Sequence, residues 1–479
     1  MPYIHKKQQL KEFFFHRHKR AQISLATVSG VLSTKPQMIK YVDTTLLEFD
    51  IITSKSFQVT PNSGNKEPII CEIEVGSYGN SVGLRNPGMD VAYRDLEELR
   101  KRHSFRAFLN ISVSASSIED FITLIKKFNP IADIIELNFS CPHAEDGYGS
   151  SIGCSKVISS EYMRRIREAV GGIDALIFPK LTPNVDNIGE IAASLIDNGA
   201  DGLSLINTVG PTVHISSVSA TPILQNSLGG KGGMSGSWVY ERALECVKEV
   251  RGSVGPDVPI IGMGGVSKPE DIVEMIRAGS DVVGIGSAFG KVHQKQWPLY
   301  THSLVTEAAE IFKGNKDVQK SSTYTIKEKR MEYEKHTILE RTEIGKDTFI
   351  ITLDGKQEYH GGEFVFLWLP QIGEKPFSIA SSTPLSFIIK VKGEFTKALS
   401  LLNVGDIIYS RGLYGSPVEI DTLPNSLLIA GGTGIAVLPP VAKELTERGV
   451  NIYTLVGTSE NRDHSLHIVE QKVASYGPL

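Results

Sequence analysis

Between about Ala21 and Phe312 short β-branched runs alternate with helical stretches, and this alternation restricts the fold more than any other feature of the chain. The runs Phe105 to Ile111, Ile134 to Asn138, Leu176 to Leu181, Gly202 to Asn207, Ile260 to Gly262 and Val282 to Ile285 read as parallel strands joined by crossover helices. An open sheet and a closed barrel both satisfy that pattern. The strand ends separate them, because Asn110, Asn138, Lys180, Asn207-Thr208, Gly264-Gly265 and Gly286-Ser287 each close a run with polar or glycine residues. In a (β/α)8 barrel all C-terminal strand ends converge on one face, which is where an active site sits. The expected fold is therefore α/β, with a (β/α)8 barrel over residues 1–312.

Residues 313–336 are highly charged and short of large aliphatics, which reads as a linker. Beyond them, Thr348 to Leu353, Glu363 to Leu369, Ser386 to Lys392 and Asp406 to Arg411 alternate as strands. They predict a small antiparallel β-barrel over residues 337–424. Residues 425–479 open with a strand, Ser426 to Ala430, then Gly431-Gly432-Thr433-Gly434, a helix through Glu447 and a second strand from Asn451. That is one βαβ unit, so a partial α/β nucleotide-binding domain in a truncated chain is expected.

Charge and cysteine content remove several function classes. Fifty Lys and Arg against 54 Asp and Glu leave a formal net charge of -4, without the basic footprint of a nucleic-acid-binding protein. Small-molecule partners are favoured. Cys71, Cys141, Cys154 and Cys246 contain no CxxC pair, which argues against a disulfide framework, a metal site or an iron–sulfur cluster and for a reduced, cytoplasmic protein. No apolar run approaches the roughly 20 residues of a membrane helix, so no membrane span is expected. The basic stretch from His5 to Arg20, with Phe13-Phe14-Phe15 inside it, is expected to form a solvated lead-in helix rather than a membrane-surface one.

Three strand-end features carry chemistry. The turns Gly264-Gly265 and Gly286-Ser287, each followed by a helix, can point backbone N–H groups at one phosphate; tight βα turns alone are the simpler reading. Lys180 closes an apolar run and would enter the barrel mouth, unless it snorkels at a rim. Cys141, in Asn138-Phe139-Ser140-Cys141-Pro142-His143, has a reference pKa near 8.5 that suits acid/base work, although a lone cysteine is more often inert and buried.

Taken together these segments resemble the flavin barrel of dihydroorotate dehydrogenases over nearly all of residues 21–312. The matching motifs, in the family's own order, include Ala26 to Gly30, Thr53 to Ser56, Asn80 to Gly88, the Cys141 segment, Lys180 to Asn184, Ile206 to Thr208 and Gly232 to Gly236. The resemblance implies oxidation of dihydroorotate to orotate in pyrimidine biosynthesis, with Cys141 as base and hydride transfer to FMN. It implies substrate contacts from Lys55, Asn80, Ser81, Val82, Gly83, Leu84, Asn138, Asn207 and Thr208. It further implies that FMN meets Ser29, Lys55, Ser56, Asn110, Asn138, Lys180, Ile206, Gly236, Gly264, Gly265, Gly286 and Ser287, with Lys180 on the flavin N1 side. Cysteine at the base position is similar to the soluble branch, and family barrels commonly pair as homodimers. His143 departs from the usual Ser-Cys-Pro-Asn; Ser-Cys-Pro-His is similar to dihydropyrimidine dehydrogenases, which gives the alternative of a reductase acting on uracil- or thymine-type rings.

The second half resembles the ferredoxin-reductase-like electron-transfer subunit of NAD-linked dihydroorotate dehydrogenases over about Thr337 to Thr458. That resemblance implies FAD at Lys375, Pro376, Phe377, Ser378, Gly393 and Thr396, with N–H groups at a helix start serving its pyrophosphate. It implies NAD as the acceptor in an intact protein, and a separate electron-transfer subunit as an alternative source of the missing redox parts.

Overall fold

The computed structural model describes residues 7–15, 23–139, 150–315, 323–420 and 424–457. The chain divides into two compact units, one of residues 1–65, 69–214 and 226–330, the other of 66–68, 215–225 and 331–479.

The first unit is built on eight parallel strands: β1 (Leu25–Thr27), β2 (Phe49–Thr53), β3 (Phe108–Val113), β4 (Ile134–Asn138), β5 (Leu176–Leu181), β6 (Leu203–Leu205), β7 (Ile260–Met263) and β8 (Val282–Ile285). They close into a barrel in chain order, with β8 pairing back onto β1. β4 and β5 are buried along their whole length, as strands covered on both faces must be. That is why they read as near-continuous apolar runs.

The helix Lys7–Phe15 closes the lower end of this barrel. Leu10 and Phe14 are buried among Ile134, Leu176, Phe178 and Ile261, with the Phe14 and Phe178 ring centroids 5.7 Å apart. The expectation of a solvated lead-in helix is thus corrected. An open barrel end would expose the inward side chains of its first strand residues, and the Leu10 and Phe14 face covers them instead.

A repeated ion pair holds the same end. Asp133, Asp201 and Asp281 stand just before β4, β6 and β8, and each accepts a backbone N–H from the first or second residue of its neighbour strand: Leu109, Ile177 and Ile260. Each aspartate also pairs with an arginine from a barrel helix: Arg100 of Met89–Arg102, Arg167 of Lys156–Val170 and Arg251 of Tyr240–Val254, at 2.8, 2.6 and 2.8 Å.

Two insertions, after β2 and after β6, meet in a four-stranded antiparallel sheet ordered Ile70–Glu74, Ser77–Asn80, Lys231–Ser235, Val209–Val213. The segment expected to be a linker is partly fastened to this unit. Lys327 Nζ reaches buried Glu72 at 2.6 Å, its N–H donates to Lys291 O, and Tyr324 packs on Tyr300. The linker's last residues also belong to a strand that starts at Glu334. Charged composition concealed both, since Lys327 is held by its ion pair to buried Glu72 and not by apolar packing.

The second unit holds β9 (Glu334–Gly345), β10 (Thr348–Leu353), β11 (Phe364–Leu369), β12 (Gly373–Ser378), β13 (Ser381–Ser382), β14 (Leu385–Lys390) and β15 (Ile407–Tyr414). They pair antiparallel in the order β12-β11-β15-β9-β10-β14-β13. The antiparallel character matches the expectation, but the hydrogen bonds do not close a barrel. Pro376 lies in end strand β12, where a residue without an N–H is tolerated because nothing pairs outward. Next come β16 (Asn425–Gly431) and β17 (Asn451–Gly457), parallel and linked through the helix Leu438–Glu447. The helix begins only after a 3-10 turn over Gly432–Val437, so the glycines do not sit at its N-terminus. Leu427, Ile429, Tyr453 and Leu455 stay exposed on the pair.

Candidate functional site

The upper strand ends enclose a cavity of about 520 Å³, inside the range of roughly 300–1,000 Å³ that holds cofactor-sized ligands. Ser29 follows β1, Lys55 and Ser56 follow β2, Asn138 ends β4, and Lys180 is the next-to-last residue of β5. Ile206, Asn207 and Thr208 follow β6, Gly264-Gly265 follows β7 and Gly286-Ser287 follows β8. The four-stranded sheet supplies another wall through Ile70, Tyr78, Asn80, Met234 and Ser235.

The lining carries three cations, Lys55, Arg85 and Lys180, and among the described residues no carboxylate. Lys55 Nζ has neither a hydrogen bond nor an ion pair among the described residues. Burial first, and Arg85 second, pull its ammonium below the usual lysine range, because a desolvated cation beside another cation favours the neutral form. Arg85 is braced by the backbone, its Nε donating to Ser63 O at 2.8 Å and its Nη2 to Asn65 O at 3.0 Å. Such a pocket attracts anions.

A hydroxyl chain lines the floor. Ser29 Oγ lies 3.3 Å from Ser56 Oγ, which lies 2.9 Å from Ser112 Oγ and accepts from Asn138 Nδ2 at 3.3 Å. At the glycine turns the backbone itself is the wall. Gly264 and Gly265 have φ of +133° and +76°, and a Cβ on Gly265 would lie 2.7 Å from Gly236 O. A Cβ on Gly286 would lie 2.3 Å from Val28 Cγ2. Side chains are excluded at Gly265 and Gly286, so a ligand there meets peptide groups. Cations, hydroxyls, amides and a peptide cradle together fit the flavin mononucleotide that the sequence resemblance implied.

Two expected contacts lie elsewhere. Ser81 is fully buried and does not reach the cavity, its Oγ accepting from Asn65 Nδ2 at 2.9 Å and Asn226 Nδ2 at 2.7 Å. It braces the loop whose Asn80, Val82, Gly83 and Leu84 do line the cavity. Asn110 points into the barrel interior below the lining, donating to Thr53 Oγ1 at 3.1 Å. Cys141 and His143 lie outside the described residues. Sequence reasoning missed Arg85, Tyr78, Met234 and Ser235. Arg85 had a signal, as a cation inside a glycine- and asparagine-rich loop; the other three depend on the insertion sheet, whose strands no periodicity marked.

In the second unit Lys375 is exposed, its ammonium 2.8 Å from Glu67 Oε2 of the same unit. Pro376, Phe377 and Ser378 complete β12. The N–H of Gly393, expected to face a pyrophosphate, donates instead to Thr396 Oγ1 at 3.1 Å, which caps the short helix Glu394–Ser400. The threonine was read as a ligand contact but here supplies the local cap.

A family model described as dihydroorotate dehydrogenase matches residues 18–300. The NAD(+)-type dihydroorotate dehydrogenase B catalytic subunit of Methanothermobacter thermautotrophicus is 39% identical over 237 residues, 50% of this chain and 74% of that protein. That of Methanopyrus kandleri is 36% identical over 275 residues, 56% of this chain and 83% of that protein. Among solved structures, DHODH from Eimeria tenella in complex with ferulenol superposes with a TM-score of 0.51 at 18% identity, covering 60% of this chain and 81% of that one. This last likeness speaks for the fold alone.

Proposed function

Because the chain belongs to the dihydroorotate dehydrogenase family, we propose that the barrel cavity binds dihydroorotate against FMN and converts it to orotate with Cys141 as the base. The charge of the cavity supports this reading best: three cations and no carboxylate among the described lining residues suit a phosphate-bearing cofactor and a carboxylate-bearing ring.

FMN would be held by the peptide groups of Gly264-Gly265 and Gly286-Ser287, with Ser29, Ser56, Ile206, Gly236 and Lys180 around the rest. When bound it supplies the hydride acceptor. Lys55 supplies an ammonium for the substrate carboxylate, and Asn80 with Val82, Gly83 and Leu84 shapes the ring site. Asn138, Asn207 and Thr208 supply hydrogen bonds to the amide edges. Cys141 removes the proton from the ring carbon beside a carbonyl, where acidity is greatest.

Lys55 and Arg85 also weigh against the alternative of a dihydropyrimidine-type reductase, whose ring has no carboxylate to use them. Anaerobic addition of dihydroorotate to the flavin-loaded protein should bleach the flavin band, and dihydrouracil should not. In Cys141→Ala the bleaching should slow by about 10²- to 10⁴-fold. Bleaching by dihydrouracil alone would overturn the substrate, and a Cys141→Ala rate equal to wild type would overturn the base.

For the second unit the proposal is an FAD site on β12, at Lys375, Phe377 and Ser378, relaying reducing equivalents toward NAD. It draws on the motif resemblance and on the antiparallel sheet. The occupied N–H of Gly393 does not add to it. Cofactor analysis of the purified chain tests it: FMN with FAD is expected, and FMN alone would assign the relay to a separate electron-transfer subunit.

A further inference from the structure

The barrel interior contains a carboxylate that neither the fold nor the reaction described above uses. Glu136 lies on β4, two residues before cavity-lining Asn138, and is 1% exposed. Both of its carboxylate oxygens lack a hydrogen-bond partner among the described residues. Its ion pair is with Lys180 on the adjacent strand, with Nζ 3.7 Å from Oε1. That separation is within ion-pair range but too long for a hydrogen bond.

Buried charges in folded proteins are ordinarily paired and hydrogen-bonded, since an unsatisfied one is costly. The lower end of the same barrel obeys this: Asp133 takes both Arg100 at 2.8 Å and the Leu109 N–H at 2.8 Å. Glu136 has only a loose partner, and that partner lines the cavity. Register explains the arrangement, because Asn138 pairs with Lys180 across β4 and β5, so Glu136 stands one inward-facing position below the lysine. An ammonium has three donors on a flexible stem. It can hold the carboxylate beneath it and a ligand above it at once.

Resting on the FMN reading of this cavity, we infer that Glu136 is a positioning residue for Lys180. It anchors the ammonium at the cavity floor and offsets part of its field at the flavin. Removal of the carboxylate leaves an uncompensated cation free to move toward the ligand, and both changes favour a negatively charged, reduced flavin over the oxidised one.

The midpoint potential of bound FMN tests this, measured by equilibration with a reference dye in the holoprotein. In Glu136→Gln the reduced flavin should be held about tenfold more tightly relative to the oxidised, a rise of about 30 mV for a two-electron couple. Lys180→Met should lower the potential. In the Lys180→Met background Glu136→Gln should add a clearly smaller shift, because the carboxylate no longer has an ammonium to position. A wild-type potential in Glu136→Gln, or equal shifts in both backgrounds, would overturn the inference. Should Glu136→Gln not fold, Glu136→Asp keeps the charge but withdraws it by one methylene; a raised potential is then expected, and an unchanged one overturns the inference. Failure of the wild type to bind flavin would remove the FMN reading as well, whereas bound flavin that dihydroorotate bleaches at an unshifted potential would remove only the role of Glu136.

Discussion

The two ends of the barrel treat charge in opposite ways. At the lower end Asp133, Asp201 and Asp281 each receive an arginine and a strand N–H, so charge is saturated by the protein itself. At the mouth Lys55 has no partner among the described residues, and Lys180 has a carboxylate only at 3.7 Å. Both ends are made from the same strands and the same kinds of residue. The difference is that the lower end is covered by the Lys7–Phe15 helix and can be completed for stability, whereas donors at the mouth must remain available to a ligand.

Three mutational or pH experiments would break or sharpen this contrast. The largest effect is expected at the lower end. Arg100→Ala leaves buried Asp133 without its cation and should reduce unfolding free energy by about 3–5 kcal/mol, measured by denaturant titration, with the KM for dihydroorotate unchanged. An equal loss from a mouth cation would erase the contrast.

Lys55→Ala should do the reverse. A lost hydrogen bond from a charged group is worth about 1.5–3 kcal/mol, roughly a 10- to 100-fold rise in KM, while the melting temperature holds or rises because a desolvated cation has gone. A fall in melting temperature without a change in KM would make Lys55 a structural residue.

The smallest effect is in pH dependence. Since burial and Arg85 lower the pKa of Lys55, its ammonium is fully present below that pKa and lost as pH rises through it. Affinity for the carboxylate substrate should therefore weaken at a lower pH than an ordinary lysine would give. Lys55→Arg should move the decline upward. Binding measured by flavin absorbance perturbation, and not turnover, separates this from the titration of Cys141. A flat wild-type profile up to the ordinary lysine range would contradict it.

The βα alternation and the polar strand ends were readable because a parallel barrel leaves a local trace: fully buried strands become aliphatic runs, and the mouth must begin where each run stops. For the same reason Asn138, Lys180, Asn207 and both glycine turns stood out as strand-end residues, whereas Ser29 and Lys55 came only from the family resemblance. Ser81 braces the cavity wall and Asn110 points inward below the lining, because both the facing of a residue and its depth along the strand decide whether a polar side chain reaches the cavity. Neither motif nor composition carries that information.

The Lys7–Phe15 plug, the aspartate–arginine clamps, the insertion-sheet wall and the Glu136–Lys180 pair had no legible signal. Each depends on contacts between segments distant along the chain. The sequence by itself determined the closed α/β architecture, which follows from local periodicity and from polar residues at the ends of strands, while the kind of chemistry at its mouth came from the family resemblance. Only the tertiary structure decided which charges are saturated and which are left for a ligand, because that depends on which distant groups come within hydrogen-bond reach when the barrel closes.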